Sequence, residues 1–513
     1  MTEALPNTTP NPKWVLVVVM IGTFLSVLDT TVLNVALPYI ITSFGSNVEE
    51  VKWVTTGFMI AAAVSMPLSG WMGQRFGYGN IYIAGLAVFT AGAAMSAVSW
   101  TLDNLIFARI VQGLGAGIVQ PTSIAILTRA FPPHVRGRVF GIWTIGMMTA
   151  PSLGPTAGGL MIEMFNWRSI FIMSLVVAAL AVGLAVLILS RERDEHAPPF
   201  DWKGYSSLTA FLVSAFLSVT YGQQEGWDSG IILLGMITAV VSILLFVVVE
   251  WDAPHPIVPL RLFRIPDFSL AMFLTLYRSV GLFGGVFLLP IFLHQVQGRD
   301  SIDIGLMMMP GSIVMAIASP ISGVLTDRFG GKWPTIAGML GMAYFLYLYS
   351  SIDFLTNTWV ILYPQVFQGI GIALVMTPLI TTGMNAVNHE DTGHASWMLN
   401  ICQRGGGAFS ISILGTLLHR QTIIQKDYLG RSAIAKGAPP AALVRQGMSL
   451  GFSAAEAGGA AKAAFGRYLG RAAVSLAFKN LFFMTCIFTL TALAPCLLLS
   501  GKRPGPPTKQ DDR

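Results

Sequence analysis

Asp29 is the first residue whose chemistry stands out, because it lies deep inside an apolar run that extends from Trp14 to about Tyr39. It is the carboxylate placed well within such a run, whereas Glu163 and Glu250 fall at the ends of theirs. A lone acid in hydrocarbon costs at least about 2.5 kcal/mol, so it is usually functional and usually paired. The chemistry it offers is uptake and release of a proton. At 1.5 Å per residue, Asp29 lies roughly 22 Å along its helix, and Arg109 reaches a similar level in a neighbouring run. The pair is read either as a proton-coupling couple or as a static ion pair that locks two helices together.

Polar residues recur at helical spacing in other apolar runs. Arg109, Gln112, Ala116 and Gln120 share one face of a helix, and Gln365, Gln368, Ile372 and Met376 repeat that spacing. Ser396, Asn400, Arg404 and Gly407 align in the same way. These are natural cavity walls, although polar residues in spans serve equally well as hydrogen bonds between helices. Arg278 and Arg404 fall near mid-depth. With Arg109 they set three buried arginines against one acid, so a cavity they line would be electropositive and favour anionic or neutral lipophilic compounds. For Arg278 the alternative is a guanidinium that snorkels or bonds a carbonyl.

The elements that position these residues are membrane helices. The chain has 513 residues, of which 54% are hydrophobic and 11% charged, a balance outside that of soluble globular proteins. Runs of about 20 apolar residues, enough to cross roughly 30 Å of hydrocarbon, recur along the chain. We place spans near 14–40, 52–70, 81–100, 104–127, 139–161 and 168–189. Two more follow near 205–222 and 230–249, and six near 268–292, 303–322, 334–351, 358–379, 394–418 and 480–499. The expectation is therefore an all-α polytopic membrane protein of fourteen helices. Its parts are a tail over 1–13, a six-helix bundle over 14–189, a linker with two inserted helices over 190–267, a second bundle over 268–499 and a tail over 500–513.

Lys and Arg set the orientation, because short loops rich in them stay cytoplasmic. One set of loops carries Arg75, Arg129, Arg136, Arg138, Arg191, Arg193, Lys203, Arg261, Arg264, Arg328 and Lys332, and the tails add Lys13, Lys502, Arg503, Lys509 and Arg513. The opposite short loops offer Lys52, Arg168 and Arg299. Both termini are expected to be cytoplasmic. The stretch 419–479 then becomes a long external loop with helical, amphipathic Ala-rich runs, and a loop of that length is largely exempt from the rule. The formal charge of +6 is spread over short loops rather than gathered on a nucleic-acid-binding face. Cys402, Cys486 and Cys496 lie in apolar runs without zinc-ligand spacing, so neither a disulfide nor a metal is expected. No HExxH, GxSxG or Walker loop points to an enzyme.

The chain repeats itself. ValAlaLeuPro at Pro38 is matched by PheLeuLeuPro at Pro290, and GWMGQRFG from Gly70 by GVLTDRFG from Gly323. QGLGAG at Gln112 is matched by QGIGIA at Gln368, and Pro121 by Pro378. Order and spacing are kept together, as in a parallel repeat whose substrate path runs between the halves near mid-membrane.

These segments resemble the major facilitator superfamily, and within it the fourteen-spanner drug:proton antiporter branch that contains EmrB and QacA, over nearly the whole chain. LDTTVLNVALP, from Leu28 to Pro38 and including Asn34, resembles the helix 1 signature of that branch. GWMGQRFG, with Gly70, Arg75 and Gly77, and GVLTDRFG, with Gly323, Asp327 and Arg328, resemble the loop motif of each half. LIFARIVQGLGAG resembles the helix 4 motif. GPTAGG, with Gly154, Pro155, Gly158 and Gly159, resembles the antiporter motif of helix 5, and NICQRGGGA the helix 13 segment. The chain departs from the pattern at Gln74, where the first loop motif carries an acid, so the latch formed by that acid lacks it in the first half.

The resemblance implies two six-helix bundles with two inserted helices, and proton-driven export of lipophilic small molecules across the inner membrane without a cofactor. Asp29 and Arg109 are assigned to proton coupling, and Asn34, Gln112, Gln120, Arg278, Gln365, Gln368, Met376, Asn400 and Arg404 to the substrate cavity; of the two mid-depth arginines the family pattern supplies Arg404 and not Arg278. The loop and helix 5 motifs take gating roles. The long external loop is closest to EmrB-type permeases, which implies a periplasmic adaptor and an outer-membrane channel as partners. Export of one specific metabolite or lipid-like compound is the alternative, followed by proton symport.

Overall fold

The computed structural model describes residues 11–190, 199–435, 444–445, 448–449 and 453–501. Arg191, Arg193 and the tail residues Lys502, Arg503, Lys509 and Arg513 lie outside the described residues. Every regular element among the described residues is helical. The first eight long helices are α1 (Pro12–Phe44), α2 (Val48–Phe76), α3 (Tyr78–Ala97), α4 (Leu102–Ala130), α5 (Arg136–Met164), α6 (Ser169–Ile188), α7 (Trp202–Glu225) and α8 (Gly230–Asp252). They are followed by α9 (Pro266–Val286), α10 (Leu288–Gln295), α11 (Ser301–Phe329), α12 (Lys332–Tyr349), α13 (Thr358–Asn385), α14 (Thr392–Ala435), α15 (Ala454–Thr491) and α16 (Leu493–Leu498).

Local chemistry sets where helices begin and stop. The Asn47 carboxamide oxygen accepts from Glu50 N at 2.8 Å and Thr101 Oγ1 from Asn104 N at 3.2 Å, satisfying backbone donors that a helix start leaves open. Gly77 ends α2 at φ +87° and Gly330 ends α11 at φ +77°, left-handed conformations that glycine adopts without strain. The two glycines are repeat mates, so the internal symmetry reaches the backbone.

Among the described residues, ten helices are long and apolar enough, by length and composition, to cross a membrane. Of the expected spans, α5, α7, α12 and α14 fall short of that measure. Each carries Gly, Ser, Thr, Tyr or charged residues and packs against other helices, so it does not need an apolar surface all round. In contrast, α8 exposes Leu234, Ile237, Val240, Val241, Leu244 and Val248, the surface of a helix facing lipid.

The expected span 268–292 is interrupted. Pro290 cannot donate to the carbonyl four residues back, and the helix breaks at Phe287 between α9 and α10. Pro495 likewise separates α16 from α15. Much of the stretch expected as an external loop over 419–479 continues the two flanking helices. α14 runs unbroken to Ala435 and α15 begins at Ala454, so the pair projects as a helical hairpin beyond the bundle.

α1 to α6 pack into one bundle and α9 to α16 into another. The seam between them is made mainly by α5 on α11 and by α2 and α4 on α14. α7 and α8 pair with each other, and α7 straddles the seam by touching α2 and α14. Tyr205 OH donates to Val64 O at 3.3 Å on one side, and Trp227 Nε1 to Thr416 Oγ1 at 3.2 Å on the other. Lys332 Nζ donates to Leu497 O at 2.7 Å, which puts the end of the chain's last helix on the face where α11 ends and α12 begins. α1 begins on that same side, here called the terminal face.

Candidate functional site

Helical spacing and depth bring Asp29 of α1 against α4. The Asp29 side chain is 2% exposed and that of Arg109 is 1%, and Arg109 Nη1 lies 2.5 Å from Asp29 Oδ2. Gln112 Nε2 donates to Asp29 Oδ1 at 2.9 Å, and Ser174 Oγ of α6 to the same oxygen at 3.2 Å. Arg109 Nη1 also donates to Gln112 Oε1 at 2.7 Å. Its guanidinium centre stacks 4.3 Å from the Phe58 ring. Arg109 Nη2 has no hydrogen-bond partner among the described residues. The cluster therefore ties α1, α4 and α6 together through one carboxylate, with a spare donor beside it. It is the ion pair among the described residues with both side chains buried.

The rest of the α4 face serves the seam. Gln120 Oε1 accepts from Arg404 Nη2 of α14 at 2.7 Å, and Gln120 Nε2 points to Met147 Sδ of α5 at 3.6 Å. This chain links three helices across the two bundles at mid-depth. Arg278 of α9 is buried, and no hydrogen bond or ion pair engages it among the described residues; its Nε is unpaired. Gln365 packs over Gly311 and Gln368 over Gly285, where a Cβ on either glycine would strike the amide. Gln365 Nε2 and Gln368 Oε1 have no hydrogen-bond partner among the described residues. Met376 is buried in the apolar core that both bundles share, with Phe140 and Trp397. Asn400 Nδ2 donates to Ser396 O in its own helix at 2.9 Å.

Asn34 differs from the other residues expected at the cavity. It is exposed, and five residues after Asp29 it is turned roughly 140° around α1 from that carboxylate.

At the terminal face the bundles are joined by backbone and side-chain hydrogen bonds. The Asp327 carboxylate accepts from Gly137 N and from Arg138 N, each at 2.8 Å, and so caps the first turn of α5. Gly137 permits the approach: a Cβ there would collide with Asp327 and with the Gly323 carbonyl. Arg136 Nη1 donates to Asn385 Oδ1 at 2.9 Å, and Arg129 Nη2 to His389 O at 3.1 Å. At the repeat-related place Gln74 Nε2 donates to Glu390 O at 2.9 Å, a neutral bond to a carbonyl. Gly70 packs on Trp397. Arg75 and Arg328 are exposed, with Arg75 set 5.5 Å from the Trp71 ring. Gly154 and Gly158 of the helix 5 motif lie against Thr31 and Val32 of α1, whereas Gly159 faces open space and Pro155 is exposed.

A cavity of about 930 Å³ opens at this face, lined by Trp71, Arg129, Glu250, Arg261 and Asp391 among others. It lies beneath the segment that follows α8, apart from the mid-depth residues expected to bind substrate.

The sequence profile of the Major Facilitator Superfamily matches residues 19–411. The chain belongs to this superfamily. It is 32% identical to an uncharacterized MFS-type transporter, YhcA, of Bacillus subtilis (strain 168), covering 82% of this chain and 79% of YhcA. It is 31% identical to the multidrug resistance protein Stp of Mycobacterium tuberculosis (strain ATCC 25618 / H37Rv), over 78% of this chain and 74% of Stp. It is 27% identical to the tetracenomycin C resistance and export protein of Streptomyces glaucescens, over 79% and 75% of the two chains. Among solved structures, the proton:xylose symporter XylE superposes with a TM-score of 0.59 at 14% identity, covering 94% of this chain and 95% of XylE. The human organic anion transporter MFSD10 gives 0.57 at 14% identity, over 94% and 100%. The chain is a multi-pass membrane transporter with the superfamily fold.

Within this transporter, several partners of the site carried weak sequence signals. Ser174 is one of two serines in a strongly apolar helix, and only its contact with Asp29 sets it apart from a packing serine. Met147 gave no signal, since a thioether that receives an amide looks like any core methionine. The cross-bundle roles of Arg129, Arg136 and Asn385 were open to a reading of the two loops as mutual neighbours, which the repeat supports.

Proposed function

We propose that this transporter exports lipophilic small molecules across the inner membrane in exchange for protons, by alternating access in a fourteen-span arrangement with cytoplasmic termini. The observation that carries the reading is the buried Asp29 carboxylate, held by Arg109, Gln112 and Ser174. A proton arriving on Asp29 cancels the charge that holds Arg109 and Gln112, which loosens α1 from α4. Restoring the charge draws them together again, so protonation biases one conformation and cargo the other. The bonds between the bundles at the terminal face correspond to a state closed on the cytoplasmic side. The export-named relatives support the direction of transport, and the helix 5 GPTAGG segment supports it by resemblance. Arg278 and Arg404 present positive charge near mid-depth and favour anionic or neutral cargo. The proton gradient serves as the energy source with no cofactor, and a periplasmic adaptor with an outer-membrane channel accompanies the EmrB-type reading.

The test is transport in everted vesicles with an imposed pH gradient and a panel of lipophilic anions, neutral compounds and cations. Wild type accumulates cargo as the gradient collapses, and Asp29→Asn does neither while remaining folded. Arg278→Ala and Arg404→Ala lower anion transport selectively. Gradient-driven transport retained by Asp29→Asn would falsify the coupling role, and equal losses for anions and cations would refute the cargo preference.

A further inference from the structure

The stretch from His419 to Lys479 holds nine Lys or Arg residues and two acids, against 31 and 25 in the whole chain. Its formal charge is therefore +7, and that of everything else is −1. This excess belongs largely to the parts of α14 and α15 that run past the bundle on the face opposite the termini. At the root of the hairpin lies a cavity of about 570 Å³ with Lys426 of α14 and Arg467 and Arg471 of α15 on its rim. Phe354, Tyr468 and Val474 also line it and give it an apolar wall, with the two rings edge to face at 5.9 Å.

The three cations have no hydrogen-bond or ion-pair partner among the described residues, and no carboxylate lines the cavity. Neighbouring charges are matched: Arg431 lies 2.9 Å from Asp427, and Lys479 lies 3.8 Å from Asp353. Like charges gathered without counter-charge repel one another, so the arrangement favours a bound anion. Gln295, the last residue of α10, lines the cavity as well. The cavity therefore sits where the spanning helices leave the hydrocarbon, level with lipid headgroups.

We propose that this cleft binds the phosphate headgroup of an anionic phospholipid in the leaflet on that face. The three cations hold the phosphate, and the Phe354, Tyr468 and Val474 wall takes the first part of the acyl region. A small soluble anion would use the charges but leave the apolar wall idle, which is why the amphiphile is favoured. Occupancy braces the outer end of α14, the helix that carries Arg404 to the seam.

The test titrates the full-length protein in neutral detergent with phosphatidylglycerol, phosphatidylcholine or glycerol phosphate, followed by native mass spectrometry and thermal shift. A triple variant with Lys426→Gln, Arg467→Gln and Arg471→Gln is compared with a control of equal charge loss, Arg420→Gln, Arg431→Gln and Lys462→Gln. All six side chains are exposed, so both variants fold. Phosphatidylglycerol binds wild type and control alike, and the triple variant binds about 10- to 100-fold more weakly. Phosphatidylcholine binds none of them tightly. Unchanged binding in the triple variant, an equal loss in the control, or glycerol phosphate binding as tightly as the lipid would each overturn the proposal.

Discussion

The first bundle neutralises its buried charge with its own helices, whereas the second leaves one bare. Asp29 and Arg109 meet at 2.5 Å with Gln112 and Ser174 completing the shell. Arg278, equally buried, has no such partner among the described residues. The terminal face shows the opposite bias. There the second bundle supplies an acid, Asp327, to the N-terminus of α5, and the first supplies the neutral Gln74 to a carbonyl beside α14. A repeated chain trace has thus been given unequal electrostatics. In the proposed exchange, the half with the self-compensated carboxylate takes the proton and the half with the unpaired cation takes the cargo.

Removing one partner of the buried pair gives the sharpest contrast between the halves. Arg109→Ala strands the Asp29 charge and should lower stability by about 3–5 kcal/mol, because an uncompensated buried ion remains. Arg278→Ala removes a charge that no group among the described residues balances, and should leave the melting temperature unchanged or raised. Thermal unfolding of both variants in detergent decides, and equal destabilisation would erase the distinction between the bundles.

The latch comparison predicts a smaller effect. Asp327→Ala gives up hydrogen bonds to an ionised group, worth about 1.5–3 kcal/mol each, and Gln74→Ala gives up a neutral one worth about 0.5–1.5 kcal/mol. Opening of the terminal face can be followed by thiol labelling of Ser322→Cys, a buried position on α11, in a background lacking the native cysteines. Labelling should accelerate more in Asp327→Ala than in Gln74→Ala. The reverse order would show that the seam is held elsewhere.

Much of this was legible in the sequence. Repeat spacing gave the two bundles, and depth counting paired Asp29 with Arg109, because a charge in hydrocarbon leaves few options for a partner. The single face of α4 was visible too, but not its division between Asp29 and the seam, which depends on how α14 approaches. Asn34 was assigned to the cavity through its place in the LDTTVLNVALP segment, and the fold leaves it exposed on a different side of α1 from Asp29. The Ala-rich runs of 419–479 read as helical, but not as direct continuations of the flanking spans, which is how α14 and α15 form them in the fold.

The central claim is that Asp29 carries the proton. Its most direct test is to count protons released by purified protein in lightly buffered detergent on addition of a transported compound, with Asp29→Asn measured alongside and cargo binding followed separately. The account predicts release from the wild type and none from the variant, with cargo still bound by both. Equal release from the two would place the proton on another group.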